Sequence, residues 1–202
     1  MPAGSPSPPS VVREVVYPRS VTLIPEDVAE VERVGRRVYA RYKARQVAQM
    51  RYREPDLERI TNSFGGELAV ARATGLPWHH GDPSKPDVGD HEVRYTGGRP
   101  ELRVYDPHAA RSQDRGKMDR VYVLTTGRRP TFLIHGWAHG AWVIKTGEGR
   151  RSPEGVMSFY LDGRKLRHDA IPGTTVPGEH LHAWARDGEE WACTVCGAPF
   201  VA

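Results

Sequence analysis

From Pro25 onward, apolar residues recur at helical spacing: Val28, Val31, Val34, Val38 and Tyr42 fall on one side of a helix. Pro25 suits a first helical turn, and Glu26 and Asp27 complement the positive end of the helix dipole. On another face Arg33, Arg37, Arg41 and Arg45 repeat every four residues. Such a stripe is first of all a solvated face, with phosphate contact as the alternative. Glu54-Pro55 ends the pattern, because the residue before a proline is pushed out of the helical region. A second helical stretch is predicted from a cap at Asn62 or Ser63 to Gly75, which fits a left-handed C-cap with Pro77 just beyond. Its small residues Gly65, Gly66, Ala69, Ala71 and Ala73 predict close packing against a neighbour.

The period changes after the turn-rich segment 77–89. His91 to Thr96 alternates as a strand and Gly97-Gly98 closes it, while Glu101 to Tyr105 forms the next strand. Residues 106–118 read as a polar loop. Arg120 to Thr125 is a fairly continuous apolar run, which predicts a central strand. Thr131 to Trp137 and Ala141 to Ile144 read as further strands, Met157 to Leu161 as an edge strand and Asp162-Gly163 as a turn. Helices come first and strands follow, so the expected class is α/β: one mixed β-sheet flanked by helices. Pro2, Pro6, Pro8, Pro9 and Pro18 mark residues 1–20 as a flexible arm. The main domain is expected over 21–170, a linker containing Pro172 and Pro177 over 171–178, and a separate small tail over 179–202. No internal repeat is present.

Composition narrows the function classes. A chain of 202 residues suits one domain with appendages. No apolar run approaches the ~18 residues of a membrane helix, and the opening residues lack the pattern of a secretory signal. A cytoplasmic protein is therefore expected, in a bacterial host if the chain is phage-encoded. The net charge of +4 favours a polyanionic partner such as DNA, although arginine richness also follows from GC-rich codons.

The most informative stretch is Gly66-Glu67-Leu68-Ala69-Val70-Ala71, followed by Lys85-Pro86-Asp87-Val88-Gly89-Asp90-His91-Glu92-Val93-Arg94. Phosphodiester hydrolysis needs an activated water, a stabilised phosphorane-like transition state and a stabilised leaving oxygen, and one or two Mg²⁺ ions serve all three needs. Mg²⁺ takes oxygen ligands, so its site must gather carboxylates from different elements. Asp87 would end a short strand, Val88 to His91 would turn, and Glu92 would open the returning strand. Glu92 and Arg94, two apart, share a face of that strand. Glu67 would come from the closely packed helix beside it.

This pattern resembles the PD-(D/E)XK nuclease superfamily in the forms carried by phages and bacteria, over roughly residues 60–145. The match is G-E-L-A-x-A on a helix, then P-D, then E-V-R, then further strands. The resemblance implies a restriction-endonuclease-like core and a deoxyribonuclease dependent on Mg²⁺ or Mn²⁺. Asp87 and Glu92 would bind the metal, Glu67 would be an auxiliary ligand, and Arg94 would stand where the family usually has lysine. Two departures stand out. The Asp-to-Glu gap is short, which leaves Asp90 as an alternative to Asp87. Arginine stays protonated, so Arg94 can hold a phosphate but cannot act as a base.

The tail carries Cys193 and Cys196 in a C-x-x-C spacing, with His180 and His182 upstream. Together they make a four-ligand set for one structural Zn²⁺, and the tail resembles a zinc-ribbon knuckle with its first ligand pair altered. Other candidates read as structural. His79-His80 and Asp82 belong to a polar loop. Asp106, Asp114 and Asp119 belong to solvated turns, Trp137 and Trp142 to the core, and Lys117 is non-specific. Against the nuclease stand a non-catalytic nucleic-acid-binding protein and an interaction module of a phage assembly. The first binds with salt-sensitive affinity and does not cleave; the second needs only a protein partner.

Overall fold

The computed structural model describes residues 17–49, 56–80, 82, 84–108, 116–152, 155–174, 184–187 and 190–193. Helix α1 spans Pro25–Gln49 and starts at the proline that the sequence pattern marks. Val31 and Val34 are fully buried, whereas Tyr42 is half exposed. The arginine stripe is solvated over the residues described: Arg33 pairs with Glu30 and Arg37 donates to the His80 carbonyl.

Helix α2 spans Leu57–Thr74 and begins more than a turn before the expected Asn62 or Ser63. Asp56 is the cap, its carboxylate accepting from the backbone N–H groups of Glu58 and Arg59. Asn62 is buried instead, and its side-chain oxygen accepts from Arg129. Gly75 closes the helix at φ 72°, the left-handed cap its position predicts. The Asp27–Arg72 ion pair fastens the two helices together.

The strands are β1 (Arg19–Thr22), β2 (His91–Tyr95), β3 (Glu101–Tyr105), β4 (Val121–Arg128), β5 (Thr131–His139), β6 (Glu148–Arg151) and β7 (Met157–Asp162). They form two sheets where the sequence reading expects one. The first is mixed, in the order β1-β5-β4-β2, with β2 parallel to β4 and the other pairs antiparallel. The second is antiparallel, in the order β3-β7-β6. The reason lies in β4, which is buried on both faces. Val121 and Val123 pack into a core under α2, while Tyr122 and Leu124 pack into a second core with Leu102, Val104 and Leu161. A continuously apolar strand demands two covers, and here one of them is a sheet rather than a helix. Met157–Asp162 is accordingly the middle strand of its sheet, not an edge.

Segment 140–146 also departs from expectation. Gly140–Thr146 is a short helix, α3, and not a strand. Val143 is buried while Trp142 is exposed, so only one side of the segment faces the core and Trp142 is no core residue. A bulge interrupts β5, where Leu124 pairs with Gly136 but Thr125 pairs with Ile134. The unpaired His135 shifts the alternation, so Phe132, Ile134 and Trp137 all reach the core under the helices. Gly136 has φ 143° at this point, and a Cβ there would meet the Arg167 carbonyl oxygen.

Both boundaries of the domain carry structure. Arg19 and Ser20, which composition assigns to the arm, lie in β1, and Tyr17 is buried in the first core. Ile171 is likewise buried, and the Pro172 carbonyl bonds the His91 imidazole. In the tail, β8 (Trp184–Asp187) and β9 (Glu190–Cys193) pair as a hairpin. His180, His182, Cys196 and the Cys193 side chain lie outside the described residues, as do Asp114 and residues 1–16 of the arm. Among the described residues no helix is long and apolar enough to cross a membrane.

Candidate active site

Two glycines let α2 approach the first sheet. A Cβ on Gly65 would stand 2.3 Å from Phe132 Cζ, and one on Gly66 would stand 2.5 Å from Thr125 Oγ1. Glu67 follows directly and is carried below the surface with its carboxylate, 6% exposed. The Trp78 indole N–H donates to Glu67 Oε2 at 3.0 Å. Trp78 itself is fixed by an isolated bridge to Val88, on the segment that carries Asp87.

Asp87 sits at the entrance to a tight turn. The backbone N–H groups of Asp87 and Val88 both donate to the His91 carbonyl, and His91 N–H donates back to Val88. The Asp87 Oδ2 then accepts from Val93 N–H at 2.7 Å, which holds the carboxylate along β2. The expected hairpin is thus reduced to its turn, because β2 pairs with β4 and not with the segment before it. Asp90, at the tip, is 93% exposed in its side chain and reaches only towards Arg120. Of the two candidate aspartates, Asp87 is the one beside Glu67 and Glu92.

Glu92 and Arg94 share a face of β2, as their spacing predicts. The parallel register sets Glu92 beside Tyr122. Arg94 reaches Glu92 Oε2 at 3.5 Å and lays its guanidinium 5.1 Å from the centre of the Tyr122 ring. Lys117 Nζ donates to Glu92 Oε1 at 2.5 Å. The Lys117 backbone N–H donates to Tyr122 Oη, so strand β4 positions the lysine as well.

The electrostatics follow from this crowding. Burial pushes the Glu67 carboxyl well above the usual carboxylate range, and the nearby Asp87 charge adds to the rise. Burial raises Asp87 too, against the opposing pull of the Val93 N–H and the Arg94 charge. Two carboxyls that resist ionising together are a natural place for a cation, and their oxygens are the hard donors that Mg²⁺ prefers. The donor set of Glu67, Asp87 and Glu92 therefore fits a divalent ion chemically. Geometrically, no group of three His, Cys, Asp or Glu side chains among the described residues stands arranged around a metal position. The cations that meet Glu92 here are the Lys117 ammonium and the Arg94 guanidinium.

Lys117, Tyr122 and Trp78 are the members that sequence reasoning misses. Lys117 stands at the end of a polar loop, and nothing local marks it. Only the parallel pairing of β4 with β2 brings it to Glu92. His79 and His80 hold the loop rather than the site: His79 Nδ1 bonds the Pro86 carbonyl, and His80 stacks on Trp78. Asp106 caps its own turn, its carboxylate accepting from the His108 N–H. No family model, no curated protein and no solved structure matches this chain.

Proposed function

We propose that this protein is a metal-dependent nuclease that hydrolyses DNA phosphodiester bonds with a PD-(D/E)XK-type site. The observation that supports this most is the gathering of three carboxylates from three separate elements. Glu67 comes from a helix, Asp87 from a turn and Glu92 from a strand, with Arg94 and Lys117 on the last of them. Burying acids beside one another costs stability, and such clusters of perturbed acids concentrate at functional sites.

Glu67, Asp87 and Glu92 would hold Mg²⁺ or Mn²⁺. When bound, that ion supplies Lewis acidity at the scissile phosphate. The chain's own groups do the rest. Hydrolysis joins a water oxygen to phosphorus and breaks one ester P–O bond, leaving a phosphomonoester and a hydroxyl. Arg94 is permanently charged and offers paired N–H donors, so it grips the non-bridging phosphate oxygens and steadies the charge that builds there. Lys117 brings the ammonium that an E-x-R sequence lacks, and unlike a guanidinium an ammonium can exchange its proton during the reaction. Tyr122 orients both cations, with its ring against Arg94 and its hydroxyl on the Lys117 backbone. The restriction-endonuclease-like core is part of the same proposal. So is one structural Zn²⁺ on Cys193, Cys196, His180 and His182 in the tail.

Supercoiled plasmid, linear duplex and single-stranded DNA, each incubated with Mg²⁺, with Mn²⁺ and with chelator, test the reading. Cleavage by the wild type with metal alone, and none by a folded Glu92→Ala variant, is the expected result. Undiminished cleavage by Glu92→Ala would overturn the assignment. A non-catalytic DNA-binding protein is the second reading, favoured by the Lys117 ammonium already seated on Glu92. It requires salt-sensitive binding with no cleavage in any metal.

A further inference from the structure

Glu92 and Arg94 border a cleft of about 770 Å³ between strand β2 and the second sheet. Glu92, Arg94, Lys117 and Tyr122 form one wall. The other wall is the outer face of β3-β7-β6. Leu102 and Val104 of β3 point into the core, so Glu101, Arg103 and Tyr105 point outward. Register sets Arg103 beside Tyr160 and sets both Tyr105 and Arg150 beside Ser158. Seven arginines and lysines line the cleft against two carboxylates, Glu92 and Glu101. Arg59 and Arg99 form no ion pair among the described residues. Their charge is therefore available to phosphates along the cleft.

The aromatic groups separate one kind of polyanion from another. The Arg103 guanidinium lies 4.4 Å from the Tyr105 ring centre and 5.7 Å from that of Tyr160, and Arg150 lies 4.6 Å from Tyr160 on its other neighbour strand. Ser158 Oγ accepts two bonds from Arg103, and Glu101 pairs with Arg150, so the planes are fixed before any ligand arrives. A set of tyrosine rings and guanidinium planes on an open sheet face is a surface for stacking bases. A duplex keeps its bases stacked on one another and offers such a surface only phosphates. Unpaired nucleotides offer both phosphate and base faces.

We propose that this cleft is the track of a single DNA strand, with bases on the Arg103–Tyr105–Tyr160 platform and the backbone running towards Glu92. The substrate is then unpaired DNA, either a single strand or an overhang, rather than blunt duplex. This rests on the nuclease reading for the chemistry at Glu92, but the binding can be measured without it. In chelator, where cleavage is excluded, fluorescence anisotropy of the full chain is read with a labelled single-stranded oligonucleotide and with the same sequence as a blunt duplex.

The wild type should bind the single strand about tenfold or more tightly than the duplex. Tyr160→Ala and Tyr105→Ala should each weaken single-strand binding about tenfold and leave duplex binding unchanged, while Tyr160→Phe keeps the ring and should bind as the wild type. Arg99→Ala should lower the slope of log affinity against log salt by about one, because it removes a phosphate contact and no stacking. Equal or tighter binding of the duplex would overturn the proposal. So would wild-type affinity in folded Tyr160→Ala and Tyr105→Ala together. Strand-selective binding that depends on Tyr160, with no cleavage in any metal, would keep this track and refute the nuclease.

Discussion

Glu67 is held where a carboxylate is costly. Burial and the Asp87 charge raise its pKa, so the folded protein without metal holds the Glu67 proton to higher pH than the unfolded chain does. The stabilising contribution of that proton is fully present below the unfolded pKa of glutamate and is lost as pH rises through the folded value. In chelator, Glu67→Gln should therefore melt at a higher temperature than the wild type at alkaline pH, and the difference should vanish under acid conditions. Glutamine still offers an oxygen to the Trp78 N–H, so the variant keeps its hydrogen bond. A variant that melts lower than the wild type at every pH would show that Glu67 is a structural anchor and not a strained acid. The helix position of Glu67, the turn position of Asp87 and the shared strand face of Glu92 and Arg94 follow from local sequence patterns, whereas the choice of Asp87 over Asp90 does not. Nor is Lys117 legible in them. It reaches Glu92 through pairing between distant strands, which no local pattern encodes.

At the scale of elements, the glycine pair of α2 decides how the site is built. Alanine is the better helix former by roughly 1 kcal/mol. Yet a methyl on Gly65 would enter the ring of the fully buried Phe132. Gly65→Ala should therefore destabilise the protein by about 1–3 kcal/mol in chemical unfolding, as overpacked cores do. A stabilised Gly65→Ala would mean that α2 sits farther from the sheet and that Glu67 is less buried. The same close packing was readable from the run of small residues. The identity of the layers was not. Met157 to Leu161 has the composition of any short strand, and only its pairing makes it central. Trp142 and Val143 show the limit at 140–146, where a short apolar run fits a helix or a strand equally well and the segment forms a helix after His139.

Over the described residues of 17–174 a mixed sheet lies between two helices and a second sheet, and its two covers do different work. The helices bring Glu67, and the second sheet supplies the cationic, tyrosine-lined wall of the cleft. Seven arginines and lysines line the cleft that Glu92 borders, and the α1 stripe is solvated over the residues described. The tail adds a separate expectation. Protein expressed with ample zinc should carry about one zinc per chain by elemental analysis, and Cys193→Ser with Cys196→Ser should carry none. A wild type free of zinc would remove the proposed tail site without touching the nuclease reading.

The most direct measurement is a single-turnover cleavage time course with protein in excess over a labelled DNA bearing a single-stranded overhang. Wild type, Glu92→Ala and Asp87→Asn are compared in Mg²⁺, with folding checked by circular dichroism. A metal-dependent nuclease with this site yields product from the wild type in metal only, and for both variants a rate no higher than the chelator control. Wild-type rates in either folded variant, or cleavage that survives chelator, would contradict the proposed function.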